Sequence, residues 1–267
     1  MTLPTYEVFA VKYAERDARR TNHFLGGDPH DGPMPMDYFV WLIRNDRLTI
    51  VLDVGFSAPV AERRKRVHLR APAAGLARLG VSAATVRDVI VSHMHYDHIG
   101  TAGDFPQARF HVQDDELAFV TGRPMCHHHM RHSYEVEDVV GMVRMLYEDR
   151  VQFHDGDDEL APGVTLHRIG GHTIGLQSVR VHTNRGWVML ASDASHYYEH
   201  FEKGRVFPTV YNVAETLEGY SKLQRLAESP QHIVPGHDPL VMARYPAVSE
   251  DLKGIAVRLD VMPRTPD

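Results

Sequence analysis

The chain has 267 residues, 43% of them apolar, and its 29 basic and 35 acidic side chains leave a formal charge of −6. That length supports one large domain with an ample core, and residues 1–267 read as a single domain. The acidic balance, with an isoelectric point near 6.3, speaks against nucleic acid as a partner and leaves a small molecule as the expected one. The single cysteine, Cys126, excludes an internal disulfide framework and suits a reducing cytoplasm. No apolar run approaches a membrane span, and the first residues lack a basic-then-apolar signal, so a cytoplasmic protein is expected. Self-association is left open.

Tyr6 to Tyr13 alternates and predicts an edge strand. Residues 14 to 36 are rich in Gly, Pro, Asp and His, and loops of this length are usually functional or disordered. Tyr38 to Ile43 and Leu48 to Asp53 predict two strands joined by the turn Arg44–Arg47. The basic run Glu62 to Arg70 reads chiefly as a solvated face, with gathering of an anionic substrate as the second reading. Pro72 to Leu79, closed by Gly80, predicts a short helix, Ser82 caps a further turn, and Val86 to Val91 predicts a strand.

That strand runs into Ser92-His93-Met94-His95-Tyr96-Asp97-His98. A helix would splay these side chains and a strand would alternate them, whereas a tight loop leaving a strand can aim all four inward. Neutral imidazole and carboxylate suit zinc and similar divalent ions. Downstream, three more apolar runs stop on such a residue: Val164 to Ile169 before His172, Trp187 to Ser192 before Asp193, and His232 to Gly236 before His237. Ligands gather beyond the carboxyl ends of strands in open α/β sheets. Five His and two Asp exceed the needs of one ion, so two metals sharing a bridge are expected, an arrangement that clamps the attacking and leaving oxygens of a displacement.

The remaining elements cover this core. Ala108 to Val112 predicts a strand and Asp114 to Val120 a helix. His127-His128-His129 and His132 read as a surface loop or pocket rim, because no strand delivers them and no acid accompanies them. Val136 to Leu146 has helical spacing, and Val151 to Phe153, Val164 to Ile169 and Leu176 to His182 predict strands. The last turns through Thr183–Gly186 into Trp187 to Ala191. Tyr211 to Ala227 is amphipathic through Leu217, Tyr220, Leu223 and Leu226, and Val248 to Asp267 reads as helical, then Pro-rich and loose. Two βα-rich halves make an α/β protein, an αββα sandwich of two mixed sheets.

The succession H-x-H-x-D-H, Gly171-His172-Thr173, Asp193 and Pro235-Gly236-His237 resembles the metallo-β-lactamase-fold hydrolases, and within them the N-acyl-homoserine lactonases. The resemblance implies one metal on His93, His95 and His172, a second on Asp97, His98 and His237, and Asp193 as the bridge. The two divalent ions are expected to be zinc, with manganese, cobalt and iron also compatible. It implies attack of a bridging hydroxide on a lactone carbonyl, with Asp97 carrying the proton to the leaving alkoxide. It also implies a carboxylate behind the ligand loop at Asp53. Residues 14 to 36 would form a partial lid, and the insert carrying Met130, Tyr134 and Met142 would border the substrate, with ordinary packing the favoured reading for any one of the three.

Two positions depart from the lactonases. They read Asp-Ala-Ser-Tyr where this chain has Asp193-Ala194-Ser195-His196, so either His196 holds the substrate carbonyl or Tyr197 or Tyr198 reaches in. Leu176 replaces a histidine of G-H-T-P-G-H. The alternatives are another ester, a thioester or an amide on the same site, or a phosphodiester. No G-x-S-x-G elbow supports a serine mechanism, and His95 stands where oxygen-reducing diiron relatives carry an acid.

Overall fold

The structure, a computed structural model, describes residues 3–264. In chain order the strands are β1 (Glu7–Arg16), β2 (Met36–Arg44), β3 (Thr49–Leu52), β4 (Val67–His68), β5 (Asp88–Ile90), β6 (Arg109–Gln113) and β7 (Val151–His154). They continue with β8 (Asp158–Ala161), β9 (Val164–Arg168), β10 (Gln177–Thr183), β11 (Gly186–Ser192), β12 (Ile233–Pro235) and β13 (Ala256–Arg258). The first sheet runs β13-β1-β2-β3-β5-β6-β7, with β4 also on β1, and the second runs β12-β11-β10-β9-β8. Both are mixed: β3, β5, β6 and β7 are parallel neighbours, as are β11 and β12, while the other pairs are antiparallel.

β2 shows why the sheets stack. Its run Met36-Asp37-Tyr38-Phe39-Val40-Trp41-Leu42-Ile43 is buried throughout. Phe39, Trp41 and Ile43 join Val8 and Ala10 of β1 against Val179, Val181, Val188 and Leu190 of the second sheet. Tyr38, Val40 and Leu42 face the other way, with Phe9, Val11 and Tyr13, toward Leu76 and Leu117 of the covering helices and Leu79 just beyond the first of them. A strand buried on both faces has no polar alternation to display. The helix Val213–Leu226 packs Tyr220 and Leu223 against the second sheet at β11, completing the αββα sandwich.

Three expectations are corrected. β1 is an interior strand, flanked by β2 on one side and by β13 and β4 on the other; both of its faces pack, and partners from residues 67 and 256 onward cover its free side. The chain after Val248 makes one 3-10 turn, Glu250–Leu252, and then β13 rather than a helix. Val257 and Leu259 are buried there, because pairing with β1 gives their backbone its hydrogen bonds. The expected loose end falls on residues 265–267, outside the described ones. Finally, Asp158–Ala161 forms an edge strand whose polar sequence carries no apolar period, and Leu217 stays exposed on its helix. Among the described residues no helix is long and apolar enough to cross a membrane.

Leu259 is fully buried between the sheets. Leu259→Ala should therefore cost about 2–5 kcal/mol, the usual range for a buried Leu truncation, measured by urea unfolding; an unchanged midpoint would place the tail outside the cooperative core.

Candidate metal centre

Strands from both sheets stop along one edge, and the chemistry-bearing residues follow their last residues. β3 leads into Asp53, β5 into His93, β9 into His172, β11 into Asp193 and β12 into His237. Abrupt exits from strands need unusual backbone. Asp53 and Ser192 adopt φ of 59° and 46°, a left-handed conformation that costs a non-glycine residue energy and clusters at functional sites. Gly171, at φ 82°, brings its backbone so close to Thr216 that a Cβ would lie 2.6 Å from the Thr216 nitrogen. Only glycine turns the chain there and still seats His172.

His93 Nε2, His95 Nδ1 and His172 Nε2 form a triangle with sides of 3.0, 3.1 and 2.9 Å. The outer nitrogen of His172 donates to the Thr209 carbonyl, and that of His93 faces Ser92 Oγ at 3.1 Å. A neutral imidazole that donates through one nitrogen offers a lone pair at the other, so the triangle presents electron pairs to a common centre. The second group is His98, His237 and Asp97. His98 Nδ1 donates to Asp53 Oδ2 at 2.7 Å and His237 Nδ1 to the Asp37 carbonyl at 2.8 Å, which turns both Nε2 atoms inward, each 3.7 Å from Asp97 Oδ2.

Asp193 stands between the groups. Its Oδ2 lies 3.2 Å from His172 Nε2 and 3.8 Å from His93 Nε2, while Oδ1 lies 3.4 Å from His98 Nε2 and 2.9 Å from His237 Nε2. One carboxylate thus addresses both groups with a different oxygen. His93, His95, His172 and Asp193 could hold one metal ion, and Asp97, His98 and His237 another.

The electrostatics fit a cation. Burial drives the His93 and His95 imidazoles well below their ordinary pKa, keeping them in the ligating form. Burial opposes protonation of His98 and His237 as well, but Asp193 and its neighbouring carboxylates outweigh it and raise both. Asp193 is held well below the carboxylate range despite burial, by His237, His196 and His98. His98 Nε2 and Asp193 Oδ1 are buried without a hydrogen bond of acceptable geometry. A pocket that draws protons onto imidazoles offers the same potential to a divalent ion, which displaces them.

The residues following Asp193 divide. His196 faces the cluster, its Nε2 3.0 Å from Asp193 Oδ2 and its ring stacked on Phe207 at 3.7 Å. Tyr197, expected as a catalytic candidate, points elsewhere: its hydroxyl donates to the Pro35 carbonyl at 3.0 Å and lies 3.1 Å from His23 Nε2. The reason is the segment of residues 17 to 35, which folds under it, held by Asp28 between Arg20 and Arg205. Tyr198 is buried away from the cluster, under the Arg244 guanidinium. Met130 and Tyr134 border the cleft beside His95, but Met142 is fully buried in the core. His128, His129 and His132 line the rim of that cleft.

Sequence reasoning passed over Glu116, whose helical neighbours gave no reason to single it out. It is fully buried and accepts hydrogen bonds from Met94 N at 2.8 Å, Thr173 Oγ1 at 2.6 Å and Gly175 N at 3.2 Å, tying the first ligand loop to the His172 loop. Asp53 does the same between sheets. It accepts from Ser92 N and Oγ at 2.8 Å each, and from Ser192 Oγ at 3.3 Å, besides orienting His98.

Asp53→Asn keeps the shape and tolerates the left-handed backbone but weakens the acceptor for His98. Zinc affinity should fall about 10–100-fold, the usual cost of losing such a support, read by competition with a chromophoric chelator; unchanged affinity would remove Asp53 from the site.

Comparison with known proteins agrees with this geometry. A family model described as the metallo-beta-lactamase superfamily matches residues 34–237. A probable metallo-hydrolase of Mycobacterium bovis is 25% identical over 228 residues, covering 75% of this chain and 71% of its own. The N-acyl homoserine lactonase AttM of Rhizobium johnstonii is 29% identical over 179 residues, a match spanning 64% of this chain and 65% of the lactonase. The crystal structure of a quorum-quenching N-acyl homoserine lactone lactonase superposes with a TM-score of 0.75 at 22% identity, covering 90% of this chain and 95% of that one. On the family match, which takes in every residue of the strand-end cluster, this protein belongs to the metallo-beta-lactamase superfamily.

Proposed function

We propose that this hydrolase opens a lactone at a dinuclear metal centre. The observation that carries the reading is Asp193, one oxygen toward each ligand group. His93, His95 and His172 would hold one ion and Asp97, His98 and His237 the other. Two divalent cations there, zinc by donor chemistry with manganese, cobalt and iron also accommodated, would bring a shared water near neutrality to hydroxide and polarise the carbonyl.

The chain's own groups supply the rest. The contact of His196 Nε2 with Asp193 Oδ2 calls for a proton on that nitrogen, and His196 occupies the position where the lactonase resemblance has a tyrosine. With Asp193 taken up by the two ions, that N–H would be released to donate to the carbonyl oxygen as charge develops, and Phe207 fixes its ring plane. Asp97, on the cavity wall, takes the proton of the attacking water and returns it to the ring oxygen as the ester bond breaks. A cleft of about 360 Å3 opens from His95 and His172 between Phe119, Met130, Tyr134 and Tyr211, offering an apolar bed for a side chain of the ring. The sequence likeness to named lactonases points the same way.

Assay of the zinc-loaded protein against lactones, aryl esters, thioesters and phosphodiesters tests the reading: lactones should turn over fastest, and chelation should abolish turnover. Activity on phosphodiesters alone would overturn it. His196→Ala should lower kcat about a hundredfold, the cost of one lost oxyanion donor, with two metals retained by elemental analysis; unchanged kcat would remove His196 from the reaction.

A further inference from the structure

Resting on that reading, we propose that the substrate carries an anionic oxyacid group, a carboxylate or a phosphate, held by Arg16 and Arg66 beside the scissile ester. The two side chains come from β1 and from the residue before β4. In their antiparallel ladder Ala14 faces His68 and Glu15 faces Val67, so the next opposing positions are Arg16 and Arg66. Like charges directly opposite one another in a ladder are destabilising, and here both line the cavity that also contains Asp97, Asp193, His196 and His237.

Neither guanidinium has been neutralised by the protein. Among the described residues no carboxylate lies within ion-pair distance of Arg16 or Arg66, and Arg16 Nε is buried without a hydrogen-bond partner. Arg66 is aimed by its backbone: Lys65 turns the chain at φ 55°, and the side chain then bonds the Tyr96 hydroxyl at 3.1 Å and the Arg64 carbonyl at 2.6 Å. Those contacts leave its second terminal nitrogen free of protein partners. Arg64, by contrast, is spent on Glu135 at 2.8 Å and on the His132 and Tyr134 carbonyls, which makes it a brace rather than a ligand.

Charge balance points to a ligand rather than to the metal ligands. Two divalent ions would balance Asp53, Asp97, Asp193 and a hydroxide, so the arginines are not needed there and leave positive charge without a counterpart. Two guanidinium forks are suited to bidentate capture of a carboxylate or phosphate. The cavity is therefore two-sided: an aromatic cleft beside His95 and His172, and a cationic wall beside Asp97 and His237.

The test compares three γ-butyrolactones on the zinc-loaded protein, identical except for a ring carboxylate, a ring phosphomethyl group or a neutral ring carboxamide. One anionic lactone should exceed the carboxamide at least tenfold in kcat/KM, carried by KM, and the two anionic arms identify which oxyacid is preferred. Arg16→Met with Arg66→Met should bring that ratio close to one, while Arg66→Lys should retain part of it; far-ultraviolet circular dichroism and metal content establish that the variants fold. A ratio near one in the native protein, or one that survives the double variant, overturns the proposal. If no lactone is hydrolysed at all, the lactonase reading falls by itself. The anion site is then judged by calorimetry with glutarate and with inorganic phosphate: binding at least tenfold weaker in the double variant supports it, and equal binding sinks it.

Discussion

A single carboxylate shared by two sets of imidazoles is the constraint on which the structure turns. Asp193 is buried among six histidines and a second aspartate. Such a group is costly to hold out of water unless opposite charge and directed partners accompany it. The imidazoles supply the partners, and a pair of cations would supply the charge. Asp193 follows Ser192, at the end of β11, where the backbone bends into the left-handed region.

Around that carboxylate lie polar supports that join parts of the fold remote in sequence. Asp53 connects β3 to Ser92, His98 and Ser192, and so locks the edge of one sheet to the edge of the other. Glu116 spans the loops of Met94 and Thr173. The Asp37 carbonyl, on β2, aims His237. Asp53 and the Asp37 carbonyl set which nitrogen of His98 and His237 is free, and an imidazole's usefulness as a ligand depends on that choice, while Glu116 holds the two loops in place. The sheets position the site and the buried carboxylates orient it.

The surroundings then differentiate the two sides. The insert after β6 brings Phe119, Met130 and Tyr134 to the cleft beside His95, while the short β4 pairing brings Arg66 level with Arg16 near Asp97. The stretch after β1 closes beneath Tyr197 through His23 and the Asp28–Arg205 ion pair. Residues 17–35 line neither cavity, and what the stretch supports is Tyr197. The strand ends carry the ligand residues and the inserts shape what stands around them, in keeping with function residing in sites grafted on a fold.

The strand-end residues were legible in the sequence because the signal is local: apolar runs ending on His93, His172, Asp193 and His237 encode strands that stop where ligands begin. The αββα arrangement followed from the same runs, and β2 was readable because burial on both faces leaves a continuous apolar stretch. What escaped was whatever depends on a distant partner. β13 is three residues that become a strand only against β1, Tyr197 is turned from the cavity by a residue 174 positions away, and Glu116 gains its role only when two loops meet over it. Arg66 looked like part of a solvated basic face until β4 set it opposite Arg16. Period and composition determine which residues must be buried and where strands end; the choice of partner for each polar atom is made by long-range packing, because a hydrogen bond or an ion pair belongs to two residues and a sequence lists them one at a time.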